Sequence, residues 1–214
     1  MSATASFEQQ LLEEAAASPV VAIMRLTIEI DRELRKLLAV YGRLAQYQGE
    51  LPEAIGLLEM SSGGQPPREL KDTLAQFWSL RNHVVHSQVS EHLALRALDY
   101  GLRILRMVKS IPRHSYIVVR ADIPLYANPE CAPPAREDVR GVILETFSPE
   151  GKPTGRHIFP STKTYRLGES VSWEWNRQNE KGWGETWYRD PDTREIKSAW
   201  GESLEFIGRN LEDI

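Results

Sequence analysis

The sequence predicts an α+β protein. An antiparallel helical bundle over residues 1–112 is followed by a small antiparallel β domain over residues 113–214, which a short C-terminal helix closes. Three observations carry this. Apolar residues recur at helical spacing up to Pro112. After Pro112 the period falls to two, with β-branched residues and turn signals in between. The joins between the long amphipathic stretches are short, which favours antiparallel neighbours.

The helices follow in order. Ser6 is placed to cap a first helix holding Phe7, Leu11 and Leu12 and ending near Ser18. Pro19 opens a second, where a missing N–H costs nothing. It runs to about Gln48 through Val20, Ile23, Met24, Ile30, Leu34, Leu37, Leu38, Tyr41 and Leu44. A short helix is expected over Pro52–Met60. Ser61–Pro67 is a breaker rich in glycine and proline. A fourth helix runs from Pro67 to about Val85 with Leu70, Leu74, Phe77, Trp78 and Leu80 apolar. A fifth runs from Ser90 to about Ser110 on the stripe Leu95, Leu98, Leu102 and Leu105, and Pro112 stops it.

Strands are expected at Ser115–Ile123, Gly141–Phe147, Arg156–Phe159, Lys163–Leu167, Val171–Trp175, Glu185–Arg189 and Glu195–Trp200. Ser148–Gly151 and Asp190–Thr193 read as turns, and Asn128–Pro134 as a loop. The closing helix is placed at Gly201 to about Asn210.

Composition excludes several classes. Apolar residues make up 41% of 214, enough for a core, so wholesale disorder is excluded. The net charge of −4 does not mark a nucleic-acid binder, and neither half is basic. The one local excess is on and just past the fifth helix: Arg96, Arg103, Arg106, Lys109 and Arg113 against Glu91 and Asp99. No apolar run approaches the roughly 20 residues that span a bilayer, so no membrane partner is expected. The first residues have no secretory pattern, so the expected compartment is the cytoplasm. Cys131 is the only cysteine, which excludes an internal disulfide and any thiolate zinc cluster. There is no P-loop and no Gly-x-Ser-x-Gly. Gly182-Trp183-Gly184 lacks the third glycine of a dinucleotide site.

Chemistry concentrates in one segment, Phe77-Trp78-Ser79-Leu80-Arg81-Asn82-His83-Val84-Val85-His86. It puts an arginine, an asparagine and two histidines at the end of an apolar helix. An arginine, a polar residue, three variable residues and a histidine, at the end of the third core helix of a small bundle, resembles the signature of the HEPN superfamily. The stretches Ser18–Ile23 and Ile30–Leu38 resemble the long opening helix of such domains, and the likeness covers about residues 15–112. It does not extend to the β domain.

The resemblance implies a metal-independent endoribonuclease acting as a homodimer, with Arg81 and His86 of both copies meeting at the interface and Asn82 ordering the site. It implies no cofactor and no metal. A role in toxin–antitoxin or antiviral systems follows, with RNA as substrate and a protein partner or antitoxin for the β domain. The residue types suit that chemistry. RNA cleavage needs an acid–base group, for which a histidine titrates near neutrality, and a fixed cation for the phosphorane charge, which an arginine fork supplies. Arg81 and His86 stand about 140° apart on a continuous helix, so a break near Val85 is expected if both are to face one cleft. The dimer is expected through the exposed parts of the fourth and fifth helices.

Other residues have two readings. His83 is an auxiliary polar group or simply exposed. With His86 it forms a His-x-x-His pair that lacks the carboxylate of a zinc protease, and metal is not expected. Glu29 or Glu33 can reach Arg81, though a solvated glutamate is the plainer expectation. Arg96, Arg103 and Arg106 share a face that can track an RNA backbone or be an ordinary soluble surface. Residues 113–214 hold five of the six tryptophans. Most are expected to build core, with Trp183 the exposed one. The competing function is a catalytically inactive HEPN dimerisation or binding module whose β domain docks a partner or ligand.

Overall fold

The structure is a computed structural model. It describes residues 3–61, 66–86, 91–135, 137–176, 185–199 and 204–214, with the backbone alone at residues 3–6, 85, 86 and 91. The chain is α+β, helical first and antiparallel sheet after. It divides into two compact units, Met1–Leu38 with Arg43–Pro112, and Ala39–Gly42 with Arg113–Ile214.

The helical unit holds α1 (Ala3–Ala17), α2 (Pro19–Val40) as far as Leu38, α3 (Leu51–Glu59), α4 (Arg68–His86) and α5 (Glu91–Ser110). α1 begins before Ser6, which is therefore inside the helix and not its cap. α2 starts at Pro19 as expected but stops well short of Gln48. Its end is a Schellman motif: Arg43 N–H bonds the Leu38 carbonyl at 2.8 Å and Gly42 N–H bonds Ala39 at 3.2 Å. Gly42 takes φ +66°, the left-handed conformation that glycine reaches without a Cβ clash. Leu44–Gln46 is then a single 3-10 turn.

The core of this unit is formed by Leu11, Ile23, Leu26, Ile30, Leu34 and Leu37 with Leu51, Ile55, Leu70, Leu74, Phe77, Leu98, Ile104, Leu105 and Val108, all buried. Leu95, expected on the α5 stripe, is 52% exposed. The buried face of α5 includes the small residues Ala94, Ala97 and Gly101. A Cβ at Gly101 would lie 2.4 Å from Leu26 and 2.9 Å from Phe77, so α2, α4 and α5 crowd together there.

The second unit is built on a meander, β1 (Ser115–Pro124), β2 (Arg140–Phe147) and β3 (Pro153–Ser161), paired antiparallel in the order β1-β2-β3. β2 is central and buried on both faces. Val142 and Leu144 join Val118, Phe159, Tyr165, Val171 and Phe206 on one side. Ile143 joins Ile123, Leu125, Val139, Ile158 and Tyr188 on the other. Two short ribbons follow: β4 (Trp175–Asn176) with β7 (Glu205–Phe206), and β5 (Trp187–Arg189) with β6 (Ile196–Ser198). The Asp190–Thr193 turn is an Asx turn, in which the Asp190 carboxylate accepts from the amides of Asp192 (2.9 Å) and Thr193 (3.2 Å).

Three expected elements are corrected. Val171–Trp175 is not a continuous strand: Val171 makes an isolated bridge to Asn210, and strand pairing begins only at Trp175. Lys163–Leu167 is not a strand: only Tyr165 buries there, and Gly168 turns the chain at φ +81°. The closing helix is absent from its described part. Glu205–Phe206 forms β7 instead, because Phe206 opposite Trp175 completes the aromatic core, and tertiary pairing overrides a weak helical pattern. A one-turn 3-10 helix follows at Leu211–Asp213. Residues 201–203 lie outside the described residues.

Candidate functional site

Arg81 sits one turn after Trp78 and Phe77 on α4. Phe77 is fully buried and fixes the rotation of the helix. That rotation leaves Trp78 and Arg81, three apart, on one neighbouring face. The Arg81 guanidinium lies over the Trp78 ring, 5.2 Å from its centroid. Its Nη1 donates to Asn82 Oδ1 at 3.0 Å, and its Nη2 lies 3.7 Å from Met24 Sδ. Its Nε is buried with no hydrogen-bond partner. Among the described residues no carboxylate pairs with Arg81. A half-buried cation without a counter-charge is costly, and an arriving anion relieves it.

Beside Arg81 is a cavity of about 280 Å³. Met24, Thr27, Ile28 and Asp31 line it from α2, at the i, i+3, i+4, i+7 spacing of one helix face. Trp78 and Arg81 line it from α4, and Gly49 and Leu51 complete it. Asp31 is held by the Arg35 Nε at 2.6 Å on one oxygen and the Tyr47 hydroxyl at 2.6 Å on the other. Burial, and then the bond to Asp31, push the Tyr47 phenol far above its ordinary range, so it stays a donor.

The other expected site residues are placed as follows. His83 is exposed, with Nδ1 3.1 Å from the Ser79 carbonyl. His86 is the last residue of α4, and its side chain lies outside the described residues. The helix runs unbroken through it, so the break expected near Val85 is absent; residues 87–90 are outside the described residues. Glu29 does not reach Arg81. It is buried and pairs with Arg32 (2.6 Å) and Lys109 (3.7 Å). On α5, Arg96 is exposed, Arg103 lies 3.7 Å from Glu69, and Arg106 grips Glu8 through Nε (3.0 Å) and Nη2 (2.7 Å). Two members of that stripe thus already carry carboxylates. Among the described residues no group of three or more His, Cys, Asp or Glu side chains can hold a metal ion.

Exposed large apolar residues also lie elsewhere than expected. α4 contributes none among the described residues and α5 only Leu95. The patch is on α2, where Val20, Val21, Met24 and Ile28 are exposed, Ile28 to 67%. Trp173 and Trp175 are half-buried in the second unit's aromatic core; Trp183 lies outside the described residues.

Sequence reading missed Asp31. Asp31 continues the face of Met24 and Ile28 by one further turn, but that spacing alone does not separate it from a solvated carboxylate.

No family model, curated protein or solved structure matches the chain. Among the described residues no helix is long and apolar enough to cross a membrane.

Proposed function

We propose that the chain is a metal-independent HEPN-type endoribonuclease that acts as a homodimer, a toxin or defence effector whose β unit docks a regulatory partner. The observation that carries this reading is Arg81: a half-buried guanidinium, braced by Asn82 and Trp78, paired with no carboxylate among the described residues and next to a cavity. Such a group is suited to a phosphate. In the reaction the ribose 2′-OH attacks the adjacent phosphorus and loses its proton to a base. The P–O5′ bond breaks, the 5′-oxygen takes a proton, and a 2′,3′-cyclic phosphate remains. His86 serves as the acid–base group and Arg81 stabilises the phosphorane charge.

A second copy suits the geometry. On an unbroken helix His86 stands about 140° from Arg81, so a site that needs both is more readily composed from two chains. Val20 and Val21, exposed on α2 one turn before the cavity wall at Met24, give a partner apolar area to cover beside the cavity.

Cleavage is expected to persist in EDTA and to stop on substrates with 2′-deoxy at the cut position. Arg81→Ala and His86→Ala are each expected to lose on the order of 10²–10⁴ in rate. Activity that vanishes in EDTA and returns with zinc or magnesium overturns this mechanism.

A second reading, an inactive dimerisation or binding module, draws support from Arg103 and Arg106, whose pairing with Glu69 and Glu8 reduces the cation track open to RNA. A pure dimer that cleaves no RNA and is harmless in cells favours it.

A further inference from the structure

We propose that the cavity beside Arg81 is a base subsite that selects guanine, seating the nucleobase of the nucleotide whose phosphate Arg81 holds. The inference rests on Arg81 as a phosphate ligand. The cavity, about 280 Å³, is at the small end of ligand pockets and has room for a base. Its walls suit a flat apolar ring: Trp78, Met24, Ile28 and Leu51 supply an aromatic, a thioether and two aliphatic surfaces. Bases stack on aromatic rings, and the Trp78 ring lines the cavity.

Asp31 makes the choice of base. Arg35 and Tyr47 each bind one of its oxygens and fix the plane of the carboxylate. A carboxylate offers about four lone-pair positions, so each oxygen keeps one to accept with. Guanine presents two adjacent donors, N1–H and the N2 amino group, which match a carboxylate edge to edge. Adenine and cytosine set one amino donor beside an acceptor nitrogen, which the carboxylate repels. Uracil and thymine offer one N–H between two carbonyls. Only guanine satisfies both oxygens.

The test is calorimetric titration of the full chain with 2′-deoxynucleoside 5′-monophosphates, which cannot undergo 2′-OH attack. The guanine nucleotide is expected to bind about tenfold or more tightly than those of adenine, cytosine and thymine. The hypoxanthine nucleotide lacks only the N2 amino group and should fall between. Arg81→Ala is expected to weaken all of them alike and keep the ranking, and Asp31→Asn to level it. If Asp31→Asn fails to fold, the guanine–hypoxanthine comparison on the unaltered chain decides alone. Equal affinities, no binding at millimolar nucleotide, or a ranking that survives in folded Asp31→Asn each overturns the proposal. Guanine preference without cleavage of any RNA removes the ribonuclease reading and keeps the subsite. Cleavage without base preference does the reverse.

Discussion

Arg81 and Asp190 are two ionised side chains whose surroundings predict opposite behaviour. Among the described residues Arg81 pairs with no carboxylate, and it keeps a buried, unbonded Nε, so its charge costs folding rather than supporting it. Arg81→Met preserves the stem and removes the charge. It is expected to leave stability in urea within about 1 kcal/mol of the unaltered chain, or above it, while activity is lost. A large destabilisation would make Arg81 a structural residue. Asp190 is the converse. The Lys197 ammonium at 2.8 Å, helped by the amides of Asp192 and Thr193, holds its carboxyl down at about 2. A depressed carboxyl contributes stability that is fully present above the ordinary carboxylate range and is lost as pH falls through it toward about 2. Asp190→Asn should therefore lower stability at neutral pH and flatten its acid dependence below about pH 4. Denaturation midpoints at a series of acid pH values measure this. An unchanged slope would show that the Lys197 pairing contributes nothing.

The elements explain why some boundaries were legible and others were not. Pro19 and Pro112 act through the chain's own covalent geometry, so the start of α2 and the switch to strands could be read directly. The end of α2 could not, because leucine and tyrosine spacing continues past Gly42 while the capping bonds end the helix there. The large-residue stripe on α5 named Leu95, which faces out. Its closest contacts run through Gly101, which carries no hydrophobic signal at all. Gly101→Ala sets two effects against each other. Helix propensity favours alanine by about 1 kcal/mol, and overpacking against Leu26 and Phe77 costs about 1–3 kcal/mol. Leu26 and Phe77 are both fully buried and have little room to yield, so overpacking is expected to win. A rise in the melting midpoint would show that they move aside. β7 illustrates the opposite failure. Its two residues have too little pattern to be read, and only their partners in β4 define them. Of the candidate site, Arg81 and Asn82 were legible as a motif. Asp31 was not, since a carboxylate on an amphipathic helix reads as solvated until the neighbouring helix is placed.

At the scale of the whole chain, two compact units with separate cores predict separable unfolding. Phe77→Ala empties a fully buried position in the helical unit, which costs about 3–5 kcal/mol. Scanning calorimetry is expected to show one transition moving down and a second staying in place. A single transition that moves as a whole would mean that the units unfold together. The division also bears on truncation. A fragment beginning at residue 113 lacks Ala39–Gly42, and the Ala39 carbonyl accepts from Trp173 N–H at 2.9 Å within the second unit. That fragment should be less stable than the same unit in the intact chain, by about the 0.5–1.5 kcal/mol of one hydrogen bond or more.

The tryptophans divide between these units in a way that provides built-in optical reporters. Trp78 is the single indole of residues 1–112, and it lies under the Arg81 guanidinium. Trp173 and Trp175 meet edge to face at 5.2 Å in the other unit, close enough for their transitions to couple. Emission from Trp78 should therefore respond to anything that displaces or engages Arg81. The coupled pair should give a circular-dichroism signal that follows the sheet's aromatic core. Replacing the tryptophans of residues 113–214 with phenylalanine, wherever folding survives, would leave a chain whose fluorescence reports occupancy at one arginine.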